Sequence, residues 1–307
     1  MEPKLAKELT YPLPRFLRSF GAALFDLFTL FTIGMALLFA SQQIMRGTPH
    51  YQELRSVETT LRLDSRLYIE DNGVLTLDEY LQSKGLTRKE QSEFYECRLD
   101  YFFEEFLNEA PSLNGAVRYF SDKHKASFND QALFDEKGHR ISDHTDLDGA
   151  YLSFFEEEYS SVALGYLREF PAYWENAKDM LGLSLLYGFL SFSIAHILVY
   201  LVVPFCFIRG KKTLGMFFAH LSYVEASGLS LPWHKHLFHW FFQFVFIFWG
   251  SILAFLLPLA LSIGMSMLRK DHQNLGDYLF NIHMIDDQNQ KVFRTSLEVA
   301  ASEYENR

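Results

Sequence analysis

Three long apolar runs, over roughly 20–42, 180–208 and 237–268, stand apart from a middle stretch, 43–175, whose apolar residues recur at helical spacing among charges. About 20 apolar residues cross the roughly 30 Å hydrocarbon core of a bilayer, so each run is long enough to span it. The pattern predicts an all-α fold. It is a polytopic helical membrane bundle of about three spans, with a mainly helical extracytoplasmic domain inserted between the first two. Residues 1–42 form a cytoplasmic lead and first span, and 43–175 form the insert. Residues 176–287 hold the second and third runs with their loop and closing motif, and 288–307 are a polar tail. Pro12 and Pro14 disfavour helix until about Arg15. No clear small-residue cleavage site follows the first run, which reads as an uncleaved anchor.

The third run has 32 residues and contains Pro258. It is too long for one untilted span and too short for two ordinary ones. A single tilted or Pro-kinked helix is the default expectation. A tight re-entrant hairpin, which returns the tail to the inside, is the alternative. Within the insert, Thr87-Arg88-Lys89-Glu90 is a capping box that opens a helix carrying Phe94, Tyr95, Tyr101, Phe102, Phe106 and Leu107. Leu133–Ile141 reads as a small hairpin around Lys137 and Gly138. A second amphipathic helix carries Leu147, Tyr151, Phe155, Tyr159, Val162, Tyr166 and Phe170, and ends before Pro171. These aromatic stripes read as core rather than as a ligand box.

Charge sets an orientation. Residues 1–18 carry four Lys/Arg against two acids, 209–236 carry four against one, and 43–175 carry fourteen against twenty-six. Excess Lys/Arg near span ends marks the cytoplasmic side. The N-terminus and the 209–236 loop are expected inside and the acidic insert outside, as in a multi-pass protein of the cell membrane. The net charge of −10 belongs mostly to the insert and argues against nucleic acid as a partner. Cys97 and Cys206 are kept apart by this topology, so no intramolecular disulfide is expected.

Candidate chemistry starts at Asp26, inside the first run and about 12 Å inboard of Arg18 at 1.5 Å per residue. A carboxylate there costs roughly 2.5–3.5 kcal/mol on insertion scales, and such residues usually mark a pathway or a polar partner. The blander reading is a carboxyl that only ties helices together. His196, within the second run, is a possible accessory: a proton-relay partner for Asp26, or simply a packed histidine. His234, His236 and His239 do not share one helical face, and read as solvated or lipid-facing interface residues rather than a metal site. Gly210-Lys211-Lys212-Thr213-Leu214-Gly215 lacks the Gly-Lys-Ser/Thr of a phosphate loop. Glu70-Asp71-Asn72-Gly73 with Glu79 resembles part of a calcium loop, but Tyr68 would hold the first ligand position; a capped turn fits better. No catalytic set stands out, so the chain does not read as an enzyme, and no cofactor is implied.

Three segments together resemble the RDD family of membrane proteins, named for one arginine and two aspartates. They are Arg18 to Asp26, the Gly210–Gly215 loop, and His272-Gln273-Asn274-Leu275-Gly276-Asp277 followed by Ile282, Met284 and Ile285. The likeness covers roughly 15–42 and 180–287, and its namesake positions fall on Arg18, Asp26 and Asp277. Met216 stands where a Lys is frequent, His272 replaces an Arg and Gly276 replaces a His. The resemblance implies a family of poorly defined function associated with transport, some of whose members are linked to cation/proton exchange. The leading expectation is therefore a transporter or transport-accessory protein in which Asp26 binds a small cation or proton. Arg18 would compensate it at the inner mouth, and Asp277 would be a second polar anchor. The rival is a non-transporting membrane anchor whose insert binds a protein partner or envelope component. Arg18 is also expected to pair with Asp277 if the tail lies inside.

Overall fold

The computed structural model describes residues 11–109, 133–135, 139–141 and 147–305. The chain is mainly helical, and three of its helices are long and apolar enough to cross a membrane: Phe16–Arg46, Pro171–Cys206 and Trp233–Leu253. It divides into two compact units. One is Gln43–Leu186; the other joins the residues up to Gln42 with those from Tyr187 onward. The division at Leu186 falls inside a continuous helix, some residues beyond the expected end of the insert.

Helix α1, Phe16–Arg46, starts just after the two prolines. In the insert, α2 (Pro49–Asp64) opens with Thr48 as its cap and Pro49 in the first turn, where a missing N–H costs nothing. A hairpin follows, β1 (Tyr68–Glu70) with β2 (Val74–Thr76), turning on Asn72 and Gly73 at positive φ. The calcium-like run is thus a turn, and Glu79 instead closes a capping box with Thr76 at the start of α3 (Leu77–Lys84). The expected capping box of Thr87 and Glu90 opens α4 (Arg88–Glu104). The two arms of the expected 133–141 hairpin pair at Phe134 and Arg140; its turn lies outside the described residues.

The second stripe forms α5 (Asp148–Glu157), a π-helical turn (Glu158–Ala163) and α6 (Leu164–Glu169). Its buried residues Tyr151, Phe155, Tyr159, Ala163 and Leu167 are spaced by four. On a 3.6-residue helix that spacing drifts by about 40° per step, and the wider π turn takes up the drift. Both stripes therefore face one core, in which Phe102, Phe103, Phe134, Phe155 and Leu99 are fully buried. Each such side chain contributes about 1.5–3 kcal/mol on burial. Tyr159 keeps its hydroxyl satisfied there, donating to the Leu67 carbonyl (3.0 Å) and accepting from the Leu77 amide (3.2 Å).

The membrane unit continues with α7 (Pro171–Ile197), a π turn and α8 (Val203–Cys206). Next come α9 (Leu214–Phe218), β3 (Leu221–Glu225) and α10 (Trp233–Phe242), which runs on through a π stretch into α11 (Gly250–Leu253). Helices α1 and α7 approach closely at Gly34, where a Cβ would stand 2.6 Å from the Phe192 ring, and Ser41 and Ser191 share a 2.9 Å hydrogen bond. Small residues and hydroxyls join helices in lipid, where burial of apolar surface supplies little drive. Leu30, Ala195 and Val199, with Phe248, pack the three spans together.

The third run is not one continuous helix. Phe255 and Leu256 take positive φ, and the chain restarts as α12 (Leu257–Leu268) with Pro258 in its first turn. Ser251 bridges the break: its carbonyl accepts from the Leu256 amide (2.7 Å) and its hydroxyl from the Leu259 amide (3.0 Å). Helix α12 packs back on the preceding helix, then leads to α13 (Leu275–Phe280) and β4 (Ile282–Asp286). Strand β4 pairs antiparallel with β3, from Leu221↔Asp286 to Glu225↔Ile282. The default expectation of a single tilted or Pro-kinked helix is corrected: the run is a helical hairpin that brings the tail beside the loop between the second and third spans. The polar tail is ordered there too, with Val292 buried against Val224 and Ile285, and α14 (Ser296–Glu305) following.

Candidate functional site

Asp26 is buried in α1, 3% exposed. Its carboxylate accepts from the Thr213 hydroxyl and from the Gly215 amide (2.7 Å). Thr213 is also the cap of α9, accepting from the Met216 amide (3.2 Å), so one side chain closes the short helix and meets the span. Gly215 is required by contact: a Cβ there would overlap the Ala22 carbonyl and crowd Asp26. Thr213 and Gly215 lie in the Gly210–Gly215 loop, and the structure gives each a physical task against Asp26.

Arg18 does not reach Asp277. It donates from Nε to the Ala219 carbonyl (2.6 Å) and pairs with Asp286 at the end of β4. The Gln288 amide first, and the Arg18 guanidinium after it, hold the Asp286 carboxyl below its ordinary range. The expected pairing failed on the partner alone, because the tail does return. Asp286 lies at the strand end facing Leu221, so the β3–β4 register delivers it to Arg18.

Asp277 is likewise buried, 2% exposed. It forms a reciprocal cap with Asn274: the Asp277 amide donates to Asn274 Oδ1 (2.9 Å) and the Asn274 amide to Asp277 Oδ2 (3.4 Å). His239 Nε2 stands 3.0 Å from Asp277 Oδ1, and Gln243 Nε2 donates to Asn274 Oδ1 (3.1 Å). Gly276 leaves room for both: a Cβ there would meet Gln243 Nε2 and lie 3.2 Å from His239 Nε2. The imidazole beside this carboxylate thus comes from α10, not from the motif itself. His236 and His239 are buried (3% and 4% exposed), which corrects their reading as solvated or lipid-facing.

Tyr223 of β3 packs against neighbours of both carboxylates. Its ring packs edge-on to His239 at 5.6 Å and joins the cluster of Ala22 and Met216, one turn from Asp26. Burial, then the charges of Asp277 and Asp26, push its phenol well above its ordinary range. His196 is elsewhere engaged. Its Nδ1 accepts from Trp240 Nε1 (3.2 Å), and its ring lies among Tyr200, Phe244 and Phe248. It is a packed histidine between the second and third spans.

Among the described residues no group of three His, Cys, Asp or Glu side chains is placed to hold a metal. The insert carries a separate polar cleft of about 450 Å³, lined in part by Asp78, Gln91, Tyr95, Glu156 and Glu157. Burial first, then Asp78, which accepts its hydroxyl, raise the Tyr95 phenol above its ordinary range. No family model, curated protein or solved structure matches the chain.

Proposed function

We propose that this is an RDD-like multi-pass membrane protein of the cell membrane, with a cytoplasmic N-terminus, that handles a proton or small cation through its membrane unit. Asp26 and Asp277 are the ionisable groups, and Tyr223 and His239 lie between them. The observation that carries the reading is geometric: Asp26 and Asp277 are both buried on separate elements, and the Tyr223 ring packs on His239, which stands beside Asp277, and on the Ala22 cluster one turn from Asp26. Buried ionisable groups that converge from several elements of a membrane protein support an ion or proton path better than a single polar tether does. Arg18, paired with Asp286, is assigned the role of fixing the end of α1 rather than of meeting the ion.

Asp26→Asn keeps size and one acceptor but cannot ionise. In reconstituted vesicles it is expected to abolish ion-driven flux of the parent protein while membrane insertion is retained. Flux equal to the parent's removes Asp26 from the mechanism.

The second reading is an anchored binding protein, favoured by the insert's self-contained core and its acidic cleft. A parent protein that conducts no cation or proton under any gradient, yet binds a partner through the insert, selects this reading.

A further inference from the structure

Residues 209–236, the loop and the first turn of the third span, hold four Lys/Arg residues, and three of them are neutralised within the protein. Arg209 pairs with Glu298 (3.3 Å), Lys212 with Asp287, and Lys235 with Glu225 (2.7 Å). Lys211 is the exception. It is the most buried of the four, 8% exposed, and has no ion pair among the described residues. Its ammonium lies over the Phe205 ring, 4.9 Å from the centroid. The edge of the same ring meets His236 at 5.4 Å. His236 is 3% exposed, and neither of its ring nitrogens has a hydrogen-bond partner among the described residues. A buried cation without a counter-charge and a buried imidazole without a partner are both costly. Here they share one aromatic wall.

The backbone holds this arrangement at a further cost. Lys211 sits at φ +42, where a side-chain-bearing residue is uncommon, directly after Gly210 at φ +80. The Gly210 carbonyl accepts from the Tyr223 amide (2.8 Å) and its amide donates to Ser230 Oγ (3.0 Å), so the turn is fixed at both of its polar ends. Arg294 adds positive potential: after burial, its charge is the second cause that pulls the Lys211 ammonium below its ordinary range.

We propose that Lys211 and His236 form a binding site for a phosphate-type oxyanion at the end of the second and third spans. Lys211 supplies the charge, His236 an N–H donor, and Phe205 the apolar wall. Phe205 and His236 belong to segments that read as membrane spans, so a lipid headgroup phosphate and a free phosphate are the two sources that share this chemistry.

The test uses the full chain in detergent, equilibrated with equal amounts of phosphatidylglycerol and phosphatidylcholine and read by native mass spectrometry. Phosphatidylglycerol, whose phosphate carries no cation of its own, is expected to be retained about tenfold over phosphatidylcholine. Lys211→Gln and His236→Phe should each bring the ratio towards parity, and Lys211→Arg should keep it. In parallel, inorganic phosphate is compared with chloride at matched ionic strength by thermal melting in phosphatidylcholine vesicles. Stabilisation by phosphate that is lost in Lys211→Gln identifies the free ion as a source; lipid preference without it identifies the headgroup. Parity between the lipids together with no phosphate effect in the parent chain overturns the proposal, as does a preference that both variants keep.

Discussion

The insert and the membrane unit solve burial in opposite ways. The insert places rings inside and polar groups at its caps: Phe102, Phe103, Phe134 and Phe155 fill its core, while Thr76, Thr87, Glu79 and Glu90 work at exposed helix starts. In the membrane unit Phe28, Phe31, Phe39 and Leu190 face outward, and Asp26, Thr213, His239, Gln273 and Asp277 are inside. A core in water is held by the number of apolar contacts, which is forgiving of small shifts. A core in lipid gains little from apolar contact, and depends on a few polar contacts and close backbone approaches. The two units should therefore respond differently to the same class of mutation.

The largest effect is expected in the insert. Phe102→Ala should cost about 3–5 kcal/mol, read as loss of the insert's cooperative melting in an excised 43–186 fragment. Unfolding of that fragment without any mutation would break the comparison, because the insert would then lack a core of its own. Next is Gly215→Ala, a single methyl group set against the Ala22 carbonyl. It should destabilise the membrane unit by about 2–3 kcal/mol, seen as a lower melting temperature in detergent, whereas Gly165→Ala, with open space around its Cβ, should not.

The third test turns on Glu158, the buried carboxyl of the insert. Burial, then the charge of Glu157, raise it to about 7. The folded insert therefore keeps this proton to higher pH than the unfolded chain does. Stability is full below the ordinary Glu range and falls as pH rises towards about 7. Glu158→Gln should flatten that slope and leave the insert more stable by about 1–2 kcal/mol at pH above 7, by denaturant titration at several pH values. The smallest effect is Thr87→Ala, which removes one cap of α4 and should cost about 1 kcal/mol.

Much of the insert was legible because its signals are local. Thr87 and Glu90 lie three residues apart, and the aromatic stripes repeat within one helix. The membrane unit was less so. The break at Phe255 and Leu256 occurs in residues that rarely take positive φ, and the bonds that stabilise it come from Ser251, whose sequence context gives no sign of them. Pro258 marked the place without deciding between a kink and a reversal. Asn274 and Asp277 carry a readable cap spacing that the emphasis on Asp277 as an anchor passed over. Arg18 was paired with the wrong aspartate because its partner depends on β3 and β4, five-residue strands far apart in sequence. Asp26 was legible as an anomaly, but its donors, Thr213 and Gly215, emerged only with the fold.

The β3–β4 ladder also sets a timetable for synthesis. Strand β3 leaves the ribosome with its partner still unmade, and the third apolar helix, its sharp reversal and α12 must all emerge before β4 can pair. Arg18, made before any of them, waits longer still, since Asp286 is the last residue of that strand. Until then the inserted helices carry an uncompensated guanidinium and an open strand edge. Pairing of β4 is the event that ends that state, closing the strand edge and delivering Asp286 to Arg18 in one step.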